Sequence, residues 1–578
     1  MSIRRSLAAA CVAAALTFAG CTPHVPPQAP SSAGLVDVHV LAFNDFHGHL
    51  DPPDGANGRI GTIDAGGVEY LTARLKQLRA LHPNTITVSA GDNIGASPLL
   101  SGMFHDEPTI EALSDAGLDV STVGNHELDE GWWELYRMQK GGCHPVDGCQ
   151  DGTPFAGARF EYLSANVLLD PTAVEASKLA ASGWRATGAG PQTLFPASTV
   201  RTIDGVKIGF IGLALEGTPT IVSSASLRGL TFRPEADAAN DAAAALVRQG
   251  VRTIVVLIHQ GGRQSGGTYD TCEHMSGPIL DIVHALSPEI DVVISGHTHE
   301  AYNCRVDGRL LTSAASYGRL ITDVDLRIDR ATGDVASSSA TNAIVTRDLP
   351  KDAASTALVD RYRPFAKTLG DRVVGSIAVE LPRAQNAAGE APLGDVVADA
   401  YLAAARAQTG GADAAFTNSG GIRGDLLAQP PATPDGPRQV TYAQTFAVLP
   451  FGNRVVVKTL SGEALLRLLE QQFDNPRAGS TRMLQVSSGV SYAYDRARPA
   501  GARVDRASVR IGDAPLDPAR RYRIVTNDFV WGGGDGFTVA QEGTDPVDVG
   551  ADVDVMVAYI AAHSPVPPAP LDRIHRVP

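Results

Sequence analysis

Five times between residues 35 and 300, a short run of β-branched and apolar residues stops abruptly at a cluster of glycine and hydrogen-bonding side chains. The runs are 36–43, 86–89, 120–123, 253–258 and 291–295, each short and rich enough in Val and Ile to be a strand. They end in Asn44-Asp45-Phe46-His47, Gly91-Asp92-Asn93, Gly124-Asn125-His126-Glu127-Leu128-Asp129, His259-Gln260-Gly261-Gly262 and Gly296-His297-Thr298-His299. Between them, 70–81 and 236–249 carry apolar residues three and four apart, which predicts helices with one buried face. Strands alternating with such helices predict an α/β fold, in which ligands gather where the carboxyl ends of strands bring their loops together. The run 207–213 has no polar terminus and is expected to serve the core alone.

Near residue 345 the pattern changes. Residues 353–369 are charged and compatible with a helix, which predicts a connector over 346–370 between one domain at 35–345 and another at 371–578. The landmarks of the second half are Asn418-Ser419-Gly420-Gly421-Ile422-Arg423, Leu449-Pro450-Phe451-Gly452-Asn453 and the stretch 526–537, which holds Phe529 and Gly533-Gly534-Asp535-Gly536-Phe537. Glycines beside aromatic residues suggest backbone brought close to a flat ligand. The proline-rich stretch 429–437 and the tail from Ser564 are expected to be surface loops.

A chain of 578 residues is too long for a single core, and 44% hydrophobic with 19% charged residues describes a globular protein. The net charge of -15 argues against a nucleic-acid partner. It leaves room for a small anionic substrate where metal ions or arginines reverse the field locally. Arg4 and Arg5, an apolar run over 7–19 and Gly20-Cys21 form an export signal, residues 1–21. The small residue before Cys21 resembles a lipoprotein signal, with ordinary cleavage beside a free Cys21 as the alternative. Residues 22–34, with four prolines, would then be a flexible spacer, and the only expected membrane contact is a lipid anchor at the N-terminus. Cys143, Cys149, Cys272 and Cys304 remain in an oxidising compartment. Three pairings are open; joining Cys143 to Cys149 closes a short loop and leaves Cys272 for Cys304.

Sorted by donor type, the five strand ends offer Asp45, His47, Asp92, Asn125, His259, His297 and His299. Oxygen and nitrogen donors without thiolate suit two divalent ions of the zinc, manganese, cobalt or iron kind, with Asp92 as the natural bridge. His126 can move a proton, and Asp129, three residues on, can fix the orientation of its imidazole. One such residue is more often structural than a ligand, but matched donors at five strand ends make coincidence improbable.

These motifs resemble those of the calcineurin-like metallophosphoesterases. The second half, through residues 418–423, Phe451-Gly452-Asn453 and Gly533-Gly534-Asp535-Gly536-Phe537, is similar to the C-terminal domain of the secreted and cell-surface 5'-nucleotidases. The resemblance implies an N-terminal β-sandwich flanked by helices, joined by a helical linker to a smaller α/β domain. It implies one metal held by Asp45, His47, Asp92 and His299, another by Asp92, Asn125, His259 and His297, and His126 with Asp129 as the catalytic pair. It further implies a nucleotide bound by Asn418, Arg423, the rings of Phe451 and Phe529, Asp535 near the ribose, and Arg383 near phosphate. The activity so implied is release of phosphate from nucleoside 5'-monophosphates, with di- and triphosphates or nucleotide sugars as further substrates. A 2',3'-cyclic phosphodiesterase or 3'-nucleotidase, a sulfur-ester hydrolase of the same fold and a non-enzymatic nucleotide-binding surface lipoprotein are the alternatives. Oligomeric state has no signature in the sequence.

Overall fold

The computed structural model describes residues 34–408, 410–428, 438–475 and 478–577, so residues 1–33, with the expected export signal and Cys21, and the proline-rich stretch 429–437 lie outside the described residues. Each predicted run is a strand, and two six-stranded sheets receive them. The first has the order Val335–Ile344, Leu320–Asp329, Leu35–Phe43, Thr85–Ser89, Val120–Thr122, Glu161–Leu163. Its last four strands are parallel; Leu320–Asp329 runs antiparallel both to Leu35–Phe43 and to the edge strand Val335–Ile344. The second has the order Ala301–Val306, Arg309–Ala314, Val292–Ser295, Thr253–Ile258, Val206–Leu213, Ser198–Ile203.

The sheets face each other because alternate residues of their strands are apolar on the inner side. Val36, Val38, Val40 and Ala42 of the first sheet pack with Ile208, Phe210, Val255, Leu257, Val292 and Ile294 of the second. Helices cover the outer faces. Val68–Leu81 inserts Leu71 and Leu75 over the first sheet, and Glu235–Arg248 inserts Ala239, Ala243 and Leu246 over the second. The first domain is therefore a sandwich in which consecutive parallel strands point their carboxyl ends the same way.

The helix Ala353–Gly370 starts at Asp352, whose side chain accepts the Ser355 N–H at 3.0 Å, and leads to the second domain. There a five-stranded sheet has the order Leu484–Val486, Ala414–Asn418, Arg521–Asn527, Arg454–Ser461, Thr544–Ala551, with Pro392–Gln408 and Asp552–His563 packed against it. The disulfides join Cys143 to Cys149 and Cys272 to Cys304.

The C-terminal tail corrects the sequence reading. Beyond Ser564 it does not lie loose on the surface: Val566 and Ile574 are buried, and Ile574–Arg576 adds a parallel strand to Val490–Tyr494. Arg573 anchors it, buried and 2.8 Å from Asp399, with its own N–H donated to Glu390. Proline content in the tail hid this, because the partners are distant in sequence, 174 and 183 residues away for Asp399 and Glu390.

Candidate active site

All seven expected metal donors meet at the carboxyl ends of the parallel strands, and six of them form two groups. One comprises Asp45, His47 and His299, the other Asp92, His259 and His297, with ligand atoms inside each group within 4.8 Å of one another. Asp92 lies between them: its Oδ2 is 2.9 Å from His259 Nε2 and 3.7 Å from His47 Nε2. Its Oδ1 accepts the backbone N–H of His126 at 2.9 Å.

The backbone that delivers these side chains is strained. Asp45, His47, Asp92, His297 and His299 all have positive φ, between 49° and 71°. Non-glycine residues adopt this region rarely and at a cost, and they hold it where surrounding contacts impose it. The contacts here are a ladder between two loops, in which Asp45, His47 and Gly48 donate their N–H groups to the carbonyls of Gly91, Asp92 and Asn93. Glu127, to which the sequence reading gave no role, supports the same loop. Buried, it accepts the N–H groups of Asp92, Asn93 and Gly124 at 2.8, 2.8 and 2.7 Å. A Cβ on Gly124 would come within 2.2 Å of Asp92 Oδ1, so only glycine fits there. The Glu127 carboxylate stands three residues after Gly124 in the motif, but nothing in the motif tells that it turns back to the preceding loop.

The charge state of the donors suits cations. His47 Nδ1 is 2.9 Å from the Gly95 carbonyl and His259 Nδ1 is 2.8 Å from the Ala90 carbonyl, so each carries its proton there and turns a lone pair at Nε2 toward the centre. His47 Nε2 lies 3.1 Å from His299 Nε2. Burial holds His47 well below the usual imidazole range, and burial together with the charge on His259 pushes His297 down to about 3, so both are neutral ligands at neutral pH. The His259 lone pair facing the Asp92 carboxylate needs a cation between them. Burial opposes charge on His259, but attraction and hydrogen bonding to Asp92, with Asp45 behind it, outweigh burial and push it up to about 10; a divalent ion would answer the same excess of negative charge. The amide oxygen of Asn125 is buried without a hydrogen-bond partner among the described residues. An orphaned acceptor at a strand end of the first sheet, together with the imidazole and carboxylate groups of the two donor sets, fits divalent metal ions.

His126 stands beside the donors. Its Nδ1 is 2.7 Å from Asp129 Oδ2, the pair set by a single short helical turn over His126–Leu128. Burial opposes charge on His126, but Asp129 and Asp92 outweigh it and raise its proton affinity above the ordinary value. The ring also meets the second domain: the Phe451 ring is stacked on it, centroids 5.6 Å apart. The guanidinium of Arg423 lies 5.7 Å from the Phe451 ring centre, and its charge lowers the proton affinity of His47, His126 and Asp129. A cavity of about 70 Å³ between the domains is lined by Ser97, His105, His126, Asp129, Pro450 and Phe451, among others.

The other expected ligand-binding residues also belong to the second domain. Asn418 donates to Asp535 Oδ2 at 2.8 Å and accepts from Asn527 at 3.0 Å, and the other oxygen of Asp535 pairs with Arg482, a partner the sequence did not suggest. Phe529 is half-buried over Gly534, where a Cβ would come within 2.5 Å of the ring. Arg383 is exposed, with one guanidinium nitrogen 3.3 Å from the carbonyl of Ile422, the residue before Arg423. A second cavity, of about 380 Å³, lies between Glu107–Asp115 and the linker helix, where Arg159 pairs with Asp115 and Arg361 with Glu111. It holds none of the donors.

A β-sandwich with histidine, aspartate and asparagine donors at its strand ends, coupled to a second α/β domain, defines a two-domain metallophosphoesterase. Residues 38–301 match the family described as calcineurin-like phosphoesterase, and residues 373–542 match the 5'-nucleotidase C-terminal domain. The chain belongs to the 5'-nucleotidase family of calcineurin-like phosphoesterases, which are phosphoester hydrolases. It is 30% identical over 536 residues to an endonuclease of Bacillus subtilis, covering 91% of this chain but only 40% of that protein. It is 29% identical over 572 residues to a cell wall protein of Listeria monocytogenes, covering 95% of this chain and 70% of that one. Among solved structures, the 5'-nucleotidase precursor of Thermus thermophilus superposes with a TM-score of 0.74 at 26% identity, covering 94% of this chain and 99% of the other.

Proposed function

We propose that the protein is an exported phosphohydrolase with two divalent metal ions that releases phosphate from nucleoside 5'-monophosphates. The observation that carries this reading is the single oxygen, Asp92 Oδ2, placed between two groups of imidazole and carboxylate donors. Asp45, His47, Asp92 and His299 would hold one ion, and Asp92, Asn125, His259 and His297 the other. Such a pair supplies positive charge for phosphoryl oxygens and for the attacking and leaving groups of an in-line displacement. His126 donates its Nδ1–H to Asp129 and, as the imidazolium that Asp129 stabilises, would give its Nε2 proton to the leaving alkoxide, returning to the neutral tautomer that Asp129 fixes.

The second domain supplies specificity in this reading. Arg423 brings a fixed positive charge toward the dyad, and Phe451 and Phe529 offer ring faces to a base, with Asn418, Asp535 and Arg383 at the sugar and phosphate. A space of about 70 Å³ is well below the roughly 300 to 1,000 Å³ of usual ligand pockets, so a nucleotide enters when the domains part. We take 35–345 and 371–578 as the two domains and 346–370 as the connector about which they move. The Bacillus relative is called an endonuclease, but a net charge of -15 and the match to only 40% of that protein favour small nucleotides here. Export follows from the N-terminal signal, and lipid attachment at Cys21 would tether the protein to the cell envelope.

The test is to load purified mature protein with different divalent ions and measure phosphate release from 5'-, 3'- and cyclic nucleotides, nucleotide sugars and an aryl phosphate. Preference for 5'-monophosphates is expected. Faster turnover of 2',3'-cyclic or 3'-nucleotides, or no turnover with any ion, would overturn the proposal.

A further inference from the structure

A second group of metal-type ligands sits away from the catalytic end. His39, on the strand Leu35–Phe43, is six residues before Asp45, roughly 20 Å along an extended chain, and pairs in the ladder with Thr85 at the start of Thr85–Ser89. Its ring is stacked on that of His82, centroids 3.5 Å apart and planes 22° from parallel. His39 Nδ1 is also 2.7 Å from Asp323 Oδ1, on the neighbouring strand Leu320–Asp329. One ligand atom from each of the three lies within 4.8 Å of the other two.

Several features distinguish this trio from an ordinary surface hydrogen bond. Each of the two imidazoles can offer a ring nitrogen lone pair to a metal. Two atoms bound to one ion at about 2.0 to 2.1 Å stand about 3 Å apart, which the contact between His39 and Asp323 approaches. The positions are rigid: His39 and Asp323 are on paired strands, with side chains only 13% and 16% exposed. His82 closes the helix Val68–Leu81 by donating its N–H to Leu78 and accepting the Thr85 hydroxyl at its carbonyl. Independently, Asp325 stands directly opposite His39 in the ladder, and its Oδ1 is buried with no hydrogen-bond partner among the described residues. An orphaned carboxylate oxygen on the residue opposite His39 adds unneutralised negative charge next to the trio, which favours a cation there.

The geometry points to a divalent transition-metal site formed by His39, His82 and Asp323, with Asp325 adding negative charge beside it. Two nitrogen donors and a carboxylate select zinc, cobalt, nickel or copper over calcium and magnesium, which take oxygen ligands. A metal here ties the end of the first helix to two central strands of the sandwich and leaves the catalytic end untouched. The inference is independent of the proposed activity.

The test compares wild type with His82→Ala and Asp323→Asn. Each protein is stripped with a chelator, equilibrated with zinc, freed of excess by gel filtration and assayed for zinc per chain. Each variant should hold one equivalent fewer than wild type, while phosphate release in saturating metal stays within twofold. Added zinc should raise the melting temperature of wild type more than that of either variant. Equal zinc content in wild type and a folded His82→Ala, judged by circular dichroism, would overturn the site and leave a hydrogen-bonded pair beside a stacked ring. His82 lies at a helix end, so this variant decides the matter even if Asp323→Asn fails to fold.

Discussion

The ring of Phe451 rests on the imidazole of His126, with centroids 5.6 Å apart and planes 15° from parallel. The two residues belong to different domains, more than three hundred positions apart, so the His126 and Asp129 pair of the first domain is covered by the second. A residue expected to stack on a base therefore also shapes the surroundings of His126, the proposed proton donor. Phe529 is free of that double role, since its ring packs over Gly534 within its own domain.

Phe529→Ala should lower kcat/KM for a nucleoside monophosphate about 5- to 150-fold, the factor that roughly 1 to 3 kcal/mol of base stacking implies. A small aryl phosphate should be hydrolysed almost as before. Phe451→Ala should slow both substrates, because it removes the ring from His126 as well. Steady-state kinetics on the two substrates check this; equal losses for Phe529→Ala would make that ring core packing.

His126→Asn should leave the metal content unchanged and slow turnover about 10²- to 10⁴-fold, the usual contribution of general acid catalysis. The side chain points to Asp129 rather than into either donor group, which is why the ions should stay. Elemental analysis beside the rate measurement separates the outcomes, and a variant that loses metal would place His126 among the ligands.

Much of this site was legible along the chain, and the reason is local. Five strands end in polar clusters because the parallel sandwich directs their carboxyl ends to one place, so Asp45, Asp92, Asn125, His259 and His297 announce themselves by position alone. The pairing of His126 with Asp129 was equally readable, since the two stand three residues apart. What could not be read depends on contacts between distant segments. The left-handed backbone at Asp45, His47 and Asp92 is imposed by the ladder between two loops, and Glu127 acts on a loop more than thirty residues upstream. Arg482 on Asp535, Phe451 on His126 and Arg573 on Asp399 are likewise products of tertiary packing, with no periodicity or motif to mark them.

Asp92→Asn should empty both metal positions. Asparagine keeps an oxygen for the His126 N–H, so the loop retains that hydrogen bond, but the negative charge shared by the two donor groups is gone. Metal content after gel filtration should fall by two ions per chain relative to wild type, and phosphate release should vanish with it. A metal content equal to that of wild type would mean that Asp92 does not bridge.

The last prediction concerns a charged histidine outside the metal centre. His105 is held between carboxylates, its Nδ1 2.7 Å from Glu130 and its Nε2 2.8 Å from Asp147, the latter in a loop that the Cys143 to Cys149 disulfide closes. Burial opposes its charge, but hydrogen bonding and attraction to Glu130, together with Asp147 and Glu134, push it up to about 9. The ring stacked on it at 3.7 Å, His144, responds in the opposite sense, lowered by burial and by the charge on His105. A histidine whose folded value is raised adds stability that is fully present below its unfolded value near 6.5 and disappears as pH climbs through about 9. His105→Gln keeps the size but cannot carry charge, so it should lower stability at pH 6 by about 1 to 3 kcal/mol. The upper end corresponds to the full shift; solvent screening of Glu130 and Asp147, whose side chains are 47% and 48% exposed, reduces it. The gap in melting temperature between wild type and variant should therefore be clear at pH 6 and nearly closed at pH 10. Thermal unfolding at the two pH values measures it, and a gap that does not change with pH would mean that His105 acts there through packing and not through charge.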